Sequence, residues 1–145
     1  MGAEKFIANG WTADLPGGWE DRSMITLAGE TDASGFASNI VVTRQTVDSE
    51  TSLEDYALIQ AEMMRNEVGN LQILDERTIE MNGVQVLQRL QRFSVGEGQI
   101  IQQVQTYFLH GKVIFAITGT ATLESFDRSI PAFKEFVETF KINEK

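Results

Sequence analysis

Side chains that hydrogen-bond without carrying charge stand out in this sequence. The stretch IIQQVQTYF, 100–108, sets Gln102, Gln103 and Gln105 inside an apolar frame. A glutamine amide both donates and accepts, and burying one without partners costs a few kcal/mol. Each of these side chains therefore faces water, pairs with a neighbour, or meets a ligand. The segment before it repeats the mixture with Gln85, Gln88 and Gln91. Groups for bond-breaking chemistry are sparse. The one histidine, His110, cannot build a multi-His metal centre and argues against a Ser-His-Asp triad. The absence of cysteine excludes disulfides, thiol catalysis and thiolate metal sites. Asp14, Glu20 and Asp21 flank a Gly-rich turn and read as solvated carboxylates. Lys5, Arg22 and Arg44 have no nucleophile beside them in sequence, and Gly96-Glu97-Gly98 lacks the spacing of a phosphate cradle. The chemistry on offer is binding rather than catalysis, with no cofactor and no metal expected.

The elements that must position these amides belong to one domain, residues 1–145, a length that suits a single core. With 42% hydrophobic and 23% charged residues, the chain reads as globular rather than disordered. A net charge of -9 opposes a nucleic-acid partner, because phosphates attract Lys and Arg. The start, MGAEKFIANGW, shows no charged segment followed by an apolar one. It thus reads as cytoplasmic, or as periplasmic if a leader has been removed. Phe6 stands where a myristoylation motif needs Ser or Thr. No apolar run is long enough to span a bilayer, so no membrane insertion is expected.

Turn residues divide the chain. Residues 5–15 read as a first strand ended by Pro16-Gly17-Gly18, residues 23–28 as a second, and 36–46 as a third after a polar loop at 29–35. Residues 52–68 read as a helix, capped by Thr51 or Ser52 with Glu54 or Asp55 completing a capping box, and closed by Gly69. Four strands follow at 71–81, 84–95, 99–109 and 112–120. Asn82-Gly83, Gly96-Glu97-Gly98 and His110-Gly111 join them tightly enough to make the meander antiparallel. A last helix is expected at 130–142, capped by Ser129 with Pro131 in its first turn. Residues 122–126 add a short helical turn before it. Phe133, Phe136, Val137 and Phe140 form its core stripe. The class is α+β: an antiparallel sheet of about six to seven strands flanked by helices.

Gln60 poses the opening question again. It falls in the centre of the helical stripe Leu53, Tyr56, Ala57, Met64 and Val68. It is either a core glutamine bonded to a nearby carbonyl or part of a binding surface. In the strand, period two puts Ile101, Gln103, Gln105 and Tyr107 on one face and Gln102, Val104, Thr106 and Phe108 on the other. Both faces are mixed. Cross-strand Gln and Arg pairs on a partly wet sheet would explain this, as would a concave surface that offers amides to a ligand.

At GWEDRS (18–23), NIVVTR (39–44), SLEDYALIQ (52–60) and VQTYFLHGKVIFAITGTA (104–121) the chain resembles the DcrB-like family of small bacterial proteins, which includes the Eag (effector-associated gene) chaperones of type VI secretion. The resemblance runs through nearly the whole chain in the same order of elements. It implies a PsbP/Mog-like fold, a homodimer, and a chaperone that binds apolar N-terminal transmembrane helices of an effector before loading. Matched by motif, the implied effector-binding residues are Thr43, Gln60 and Gln105, with apolar contacts at Met24 and Val68. Thr43 departs from the family's Ser but keeps the hydroxyl. A DcrB-like protein-binding or cell-envelope domain is the alternative. An enzyme or small-ligand binder would need a buried pocket at Arg44, Glu20 and Asp21.

Overall fold

Glycine turns and two helix caps set the architecture of the computed structural model, which describes residues 4–96 and 98–143. The expected first strand is two: β1 (Glu4–Ala8) and β2 (Trp11–Leu15) form a hairpin. Asn9-Gly10 makes its turn, with Gly10 at φ +87° where a side chain would be strained. Asn-Gly flanked by apolar residues is a hairpin signal that the reading at 5–15 passed over. Among the described residues, no other strand or helix comes within 8 Å, Cα to Cα, of this hairpin.

The remaining strands are β3 (Met24–Thr31), β4 (Ala37–Thr46), β5 (Gln72–Met81), β6 (Val84–Val95), β7 (Gln99–His110) and β8 (Val113–Thr122). They form one antiparallel sheet in the order β3-β4-β8-β7-β6-β5. The β5–β6 turn is Asn82-Gly83 with both residues at positive φ, +53° and +78°, as the sequence predicts. The expected turn at 96–98 joins β6 to β7, although Glu97 lies outside the described residues. His110 ends β7, and the next turn is Gly111-Lys112.

Helix α1 (Leu53–Val68) is capped by Ser52, whose Oγ accepts from the Asp55 amide at 3.1 Å, and Gly69 closes it at φ +71°. Leu53, Tyr56 and Ala57 bury against Leu87, Tyr107, Ile114 and Ala116 on one face of the sheet. Helix α2 (Leu123–Thr139) covers the other face. There Phe133 and Val137 pack among Ile40, Val86, Val104, Phe108 and Ile117, with Phe136 and Phe140 at the margin, so the predicted stripe is a core stripe. The predicted start is wrong. Thr122, not Ser129, is the cap, accepting from the Ser125 amide at 3.3 Å, so the helix begins seven residues early and carries Pro131 inside it. Ser129 instead donates its hydroxyl to the Ser125 carbonyl, one turn back. Proline at 131 is tolerated because it is exposed, and water can reach the carbonyl left without a donor. Gly119 of β8 lets α2 approach closely: a Cβ there would stand 2.6 Å from the Phe133 ring.

Candidate binding face between α1 and the edge of the sheet

α1 packs on β6 and β7, reaches Ile114 and Ala116 of β8, and leaves β4 and β3 on its face of the sheet largely uncovered. Strand register assigns the residues of that face. One cross-strand row is Leu87, Tyr107, Ala116, Thr43 and Met24; the next is Arg89, Gln105, Thr118, Val41 and Thr26; a third is Gln91, Gln103, Thr120, Asn39 and Ala28. From β8 through β4 to β3, exposure rises outward along these rows. On β8 Ala116 and Thr120 are buried and Thr118 is half-buried, Asn39, Val41 and Thr43 on β4 are half-buried, and Met24, Thr26 and Ala28 on β3 are exposed. The result is an open cleft bounded by α1 on one side, and every residue of its β3, β4 and β8 floor in these rows is uncharged.

Two hydrogen bonds fix how α1 is rotated above this cleft. Tyr56 donates to Gln45 Oε1 of β4 at 2.7 Å, while Glu54 accepts from Thr78 of β5 at 3.4 Å. At 100° per residue, Ile59 and Met63 then stand on the side of Tyr56, facing the open cleft. Both are more than half exposed, at 54% and 56%. Gln60 lies at the same margin, half-buried. The cleft thus has a helix wall that is apolar at Ile59 and Met63 and ends at the exposed Glu67 one turn on, and an apolar rim at Met24, with neutral polar groups between.

Buried polar contacts brace the floor. Arg89 is 1% exposed. Its Nε and one terminal NH2 donate to Gln105 Oε1 at 3.2 and 2.9 Å, and that NH2 also donates to the Tyr107 hydroxyl at 3.0 Å. The other NH2 donates to the Ala57 carbonyl of α1 at 2.6 Å and lies 3.6 Å from Glu76. The buried guanidinium is thereby matched on every side, which its desolvation requires. Burial pushes the Tyr107 phenol up to about 12 and also raises Tyr56. One row further, Gln91 Nε2 donates to Gln103 at 2.7 Å and Gln103 Nε2 donates to Thr120 at 3.1 Å. Gln91 Oε1 is buried without a partner.

Three of the five residues expected at the site come together on this face of the sheet: Met24 and Thr43 are direct cross-strand neighbours, and Gln105 lies about 12 Å from Thr43 by strand spacing. Gln60 borders them from α1. Val68 does not, because it sits under the last turn on the side of β5. Gln102 and Gln103 are the cross-strand pairs foreseen, Gln102 accepting twice from Arg92 on the α2 face at 2.8 and 2.9 Å. Sequence reasoning missed Arg89, Ile59 and Met63. Arg89 and Gln105 are equidistant in sequence from the turn at 96–98, which a register argument could have used. Ile59 and Met63 widen the helical stripe beyond what its own core needs.

The carboxylates near the start serve local structure. Asp21 accepts from the Ser23 hydroxyl and amide, which hold its carboxyl below the usual range, with Arg44 adding to this. Arg22 pairs with Glu20 at 3.1 Å on an exposed surface, so no buried pocket forms at Glu20, Asp21 and Arg44. Among the described residues, no three of His, Asp or Glu cluster to hold a metal, and no helix is long and apolar enough to cross a membrane.

The family model described as DcrB matches residues 12–139. Two solved structures share the fold. PA94 from Pseudomonas aeruginosa, a protein of unknown function, is 15% identical, with 99% of each chain covered at a TM-score of 0.82. The cyanobacterial PsbP (CyanoP) of Synechocystis is 13% identical, with 97% of this chain and 92% of its own covered at a TM-score of 0.60. None of the curated proteins matches this chain.

Proposed function

The chain belongs to the DcrB family, and we propose that it works as a non-enzymatic chaperone or adaptor, holding apolar N-terminal transmembrane helices of a type VI secretion effector in solution before they are loaded. The observation that carries this reading is the uncharged sheet floor of the cleft beside α1, in a chain whose net charge is -9. A helix destined for a membrane exposes a large apolar area in water, and only apolar contact of similar extent offsets it. A charge on the floor would have to be desolvated at high cost. Neutral amides and hydroxyls can meet the carbonyls that small residues leave bare on such helices.

Dimensions agree. From β7 to β3 the sheet order spans three strand spacings, about 14 Å, while a helix is about 10–12 Å across. The ten residues of β4 extend about 33 Å, and a membrane-spanning helix of about 20 residues is about 30 Å long.

The working unit in this reading is a homodimer. β3 is exposed along its whole length, ends the sheet, and carries Met24 on one face with Ile25 and Leu27 on the other. The opposite edge strand, β5, is guarded by Asp75, Glu76, Arg77 and Glu80. A free β1–β2 hairpin with exposed Ile7 and Trp11 adds surface that an isolated hairpin cannot keep stable by itself.

Co-expression with the N-terminal apolar helices of an effector encoded beside this chain tests the reading. A soluble complex that co-purifies is expected. Precipitation of that segment as readily as without the protein would overturn it.

A further inference from the structure

Resting on that reading, we propose that Arg89 is a positioning residue: it turns the Gln105 amide so that the NH2 end faces the cleft, and the cleft therefore selects helix faces that present free oxygen acceptors.

Arginine has only donors. The amide atom against its fork must be the oxygen, whichever way a free glutamine would turn. Three hydrogens converge on Gln105 Oε1, two from Arg89 and one from the Tyr107 hydroxyl at 3.0 Å. Tyr107 is itself polarised, because its oxygen accepts from Arg89 at 3.0 Å. Its hydroxyl hydrogen is thereby directed to Gln105. Among the described residues nothing accepts from Gln105 Nε2, and that nitrogen is not one of the buried unpartnered atoms. The open end of the amide is thus a pair of N–H donors.

A glutamine free to rotate would greet a donor or an acceptor alike. A clamped one discriminates, because a donor placed against it leaves both groups unpaired. The favoured occupant is an apolar helix with a carbonyl laid bare by small residues, or with an ether or hydroxyl oxygen, at the level of the Gln105 row.

The test titrates the full chain with two Lys-flanked, 20-residue apolar helical peptides that differ at one central position: O-methylserine, which only accepts, or its isostere norvaline. The unmodified protein is expected to favour the ether by about tenfold, the worth of one well-placed hydrogen bond. In Arg89→Met the amide is no longer held with its NH2 end outward, so the ratio between the two peptides should fall to about threefold or less, whatever the variant does to the binding of both. A merely structural arginine would shift both peptides together. Gln105→Glu keeps the bonds from Arg89 but has no N–H, and should lose the preference even if Arg89→Met does not fold. A tenfold preference retained in either folded variant overturns the proposal. Equal binding of both peptides by the unmodified protein overturns it and leaves the chaperone reading standing. Failure to bind either peptide sinks both.

Discussion

Arg89 on β6 and Gln105 on β7 are direct cross-strand neighbours, and the buried guanidinium grips the amide oxygen through two nitrogens, at 3.2 and 2.9 Å. The pair braces the sheet beneath α1 and borders the open cleft at once. Structure and binding are therefore coupled at Gln105 in a way they are not at Gln60.

Gln105→Ala should destabilise the fold by about 3 kcal/mol, because it strands a buried charge by removing the acceptor that takes two of its hydrogen bonds. Urea denaturation measures this. Adding Arg89→Met in the same chain should recover part of the loss, since a buried ion replaced by an apolar side chain is tolerated. Equal stability of Gln105→Ala and the parent would show that the grip carries no weight. Gln60→Ala, half-buried on the helix, should cost less than about 1 kcal/mol and is the cleaner probe of cargo binding.

Ile59→Lys combined with Met63→Lys should leave the melting temperature nearly unchanged, since both side chains are exposed. The two cations would line the apolar wall of the cleft, and effector helices should no longer co-purify. Retention of cargo by a folded double variant would place the binding surface elsewhere.

Gly119→Ala drives a methyl group into the Phe133 ring, at 2.6 Å from Cγ, and either α2 or the ring must shift. A loss of about 2 kcal/mol in thermal or urea unfolding is expected. Gly29, whose added Cβ would meet only one backbone oxygen at 3.3 Å, serves as the milder comparison.

Asp32 ties the β3–β4 turn to the start of α2. Its carboxylate accepts from Ser34 and from the Thr122 and Ser125 hydroxyls at 2.7 and 2.8 Å, and these bonds hold its carboxyl far below the ordinary 3.8. A depressed carboxyl binds its proton more readily in the unfolded chain. Its contribution to stability is therefore complete above the ordinary value and is lost as pH falls below about 4. Asp32→Asn should unfold more easily at pH 7 and show a shallower decline in stability between pH 4 and pH 2 than the parent. Parallel acid-unfolding curves would count against this role.

Leu27→Lys on the open edge should shift the sedimentation of the chain from dimer to monomer without altering its far-UV circular dichroism. A parent that sediments as a monomer at all concentrations would remove the dimer from the proposed function.

Much of this was legible along the chain. Asn82-Gly83 and Gly111 mark the meander, Ser52 and Gly69 bracket α1, and the stripe of Phe133, Val137 and their neighbours identifies the buried side of α2. These signals are local: they depend on φ preferences and on side-chain periods of two and 3.6 residues. The start of α2 was misread because Ser129 before Pro131 mimics a helix start, while Thr122, at the end of a strand, makes the real one. The hairpin at Asn9-Gly10 was passed over although its signal was of the same local kind.

Other relations were decided only in three dimensions. Period two put Gln103 and Gln105 on one face but could not say which part of that face a helix would seal. α1 lies over β6, β7 and the start of β8, so Gln91 and Arg89 are buried while Thr43 and Met24 on the same face remain accessible. The rotation of α1 was set by contacts with Gln45 and Thr78, residues from two strands far apart in the sheet. The sequence by itself determined the elements and their faces, because those follow from neighbours in the chain. The tertiary structure decided which faces meet, because burial depends on long-range packing that no local period encodes.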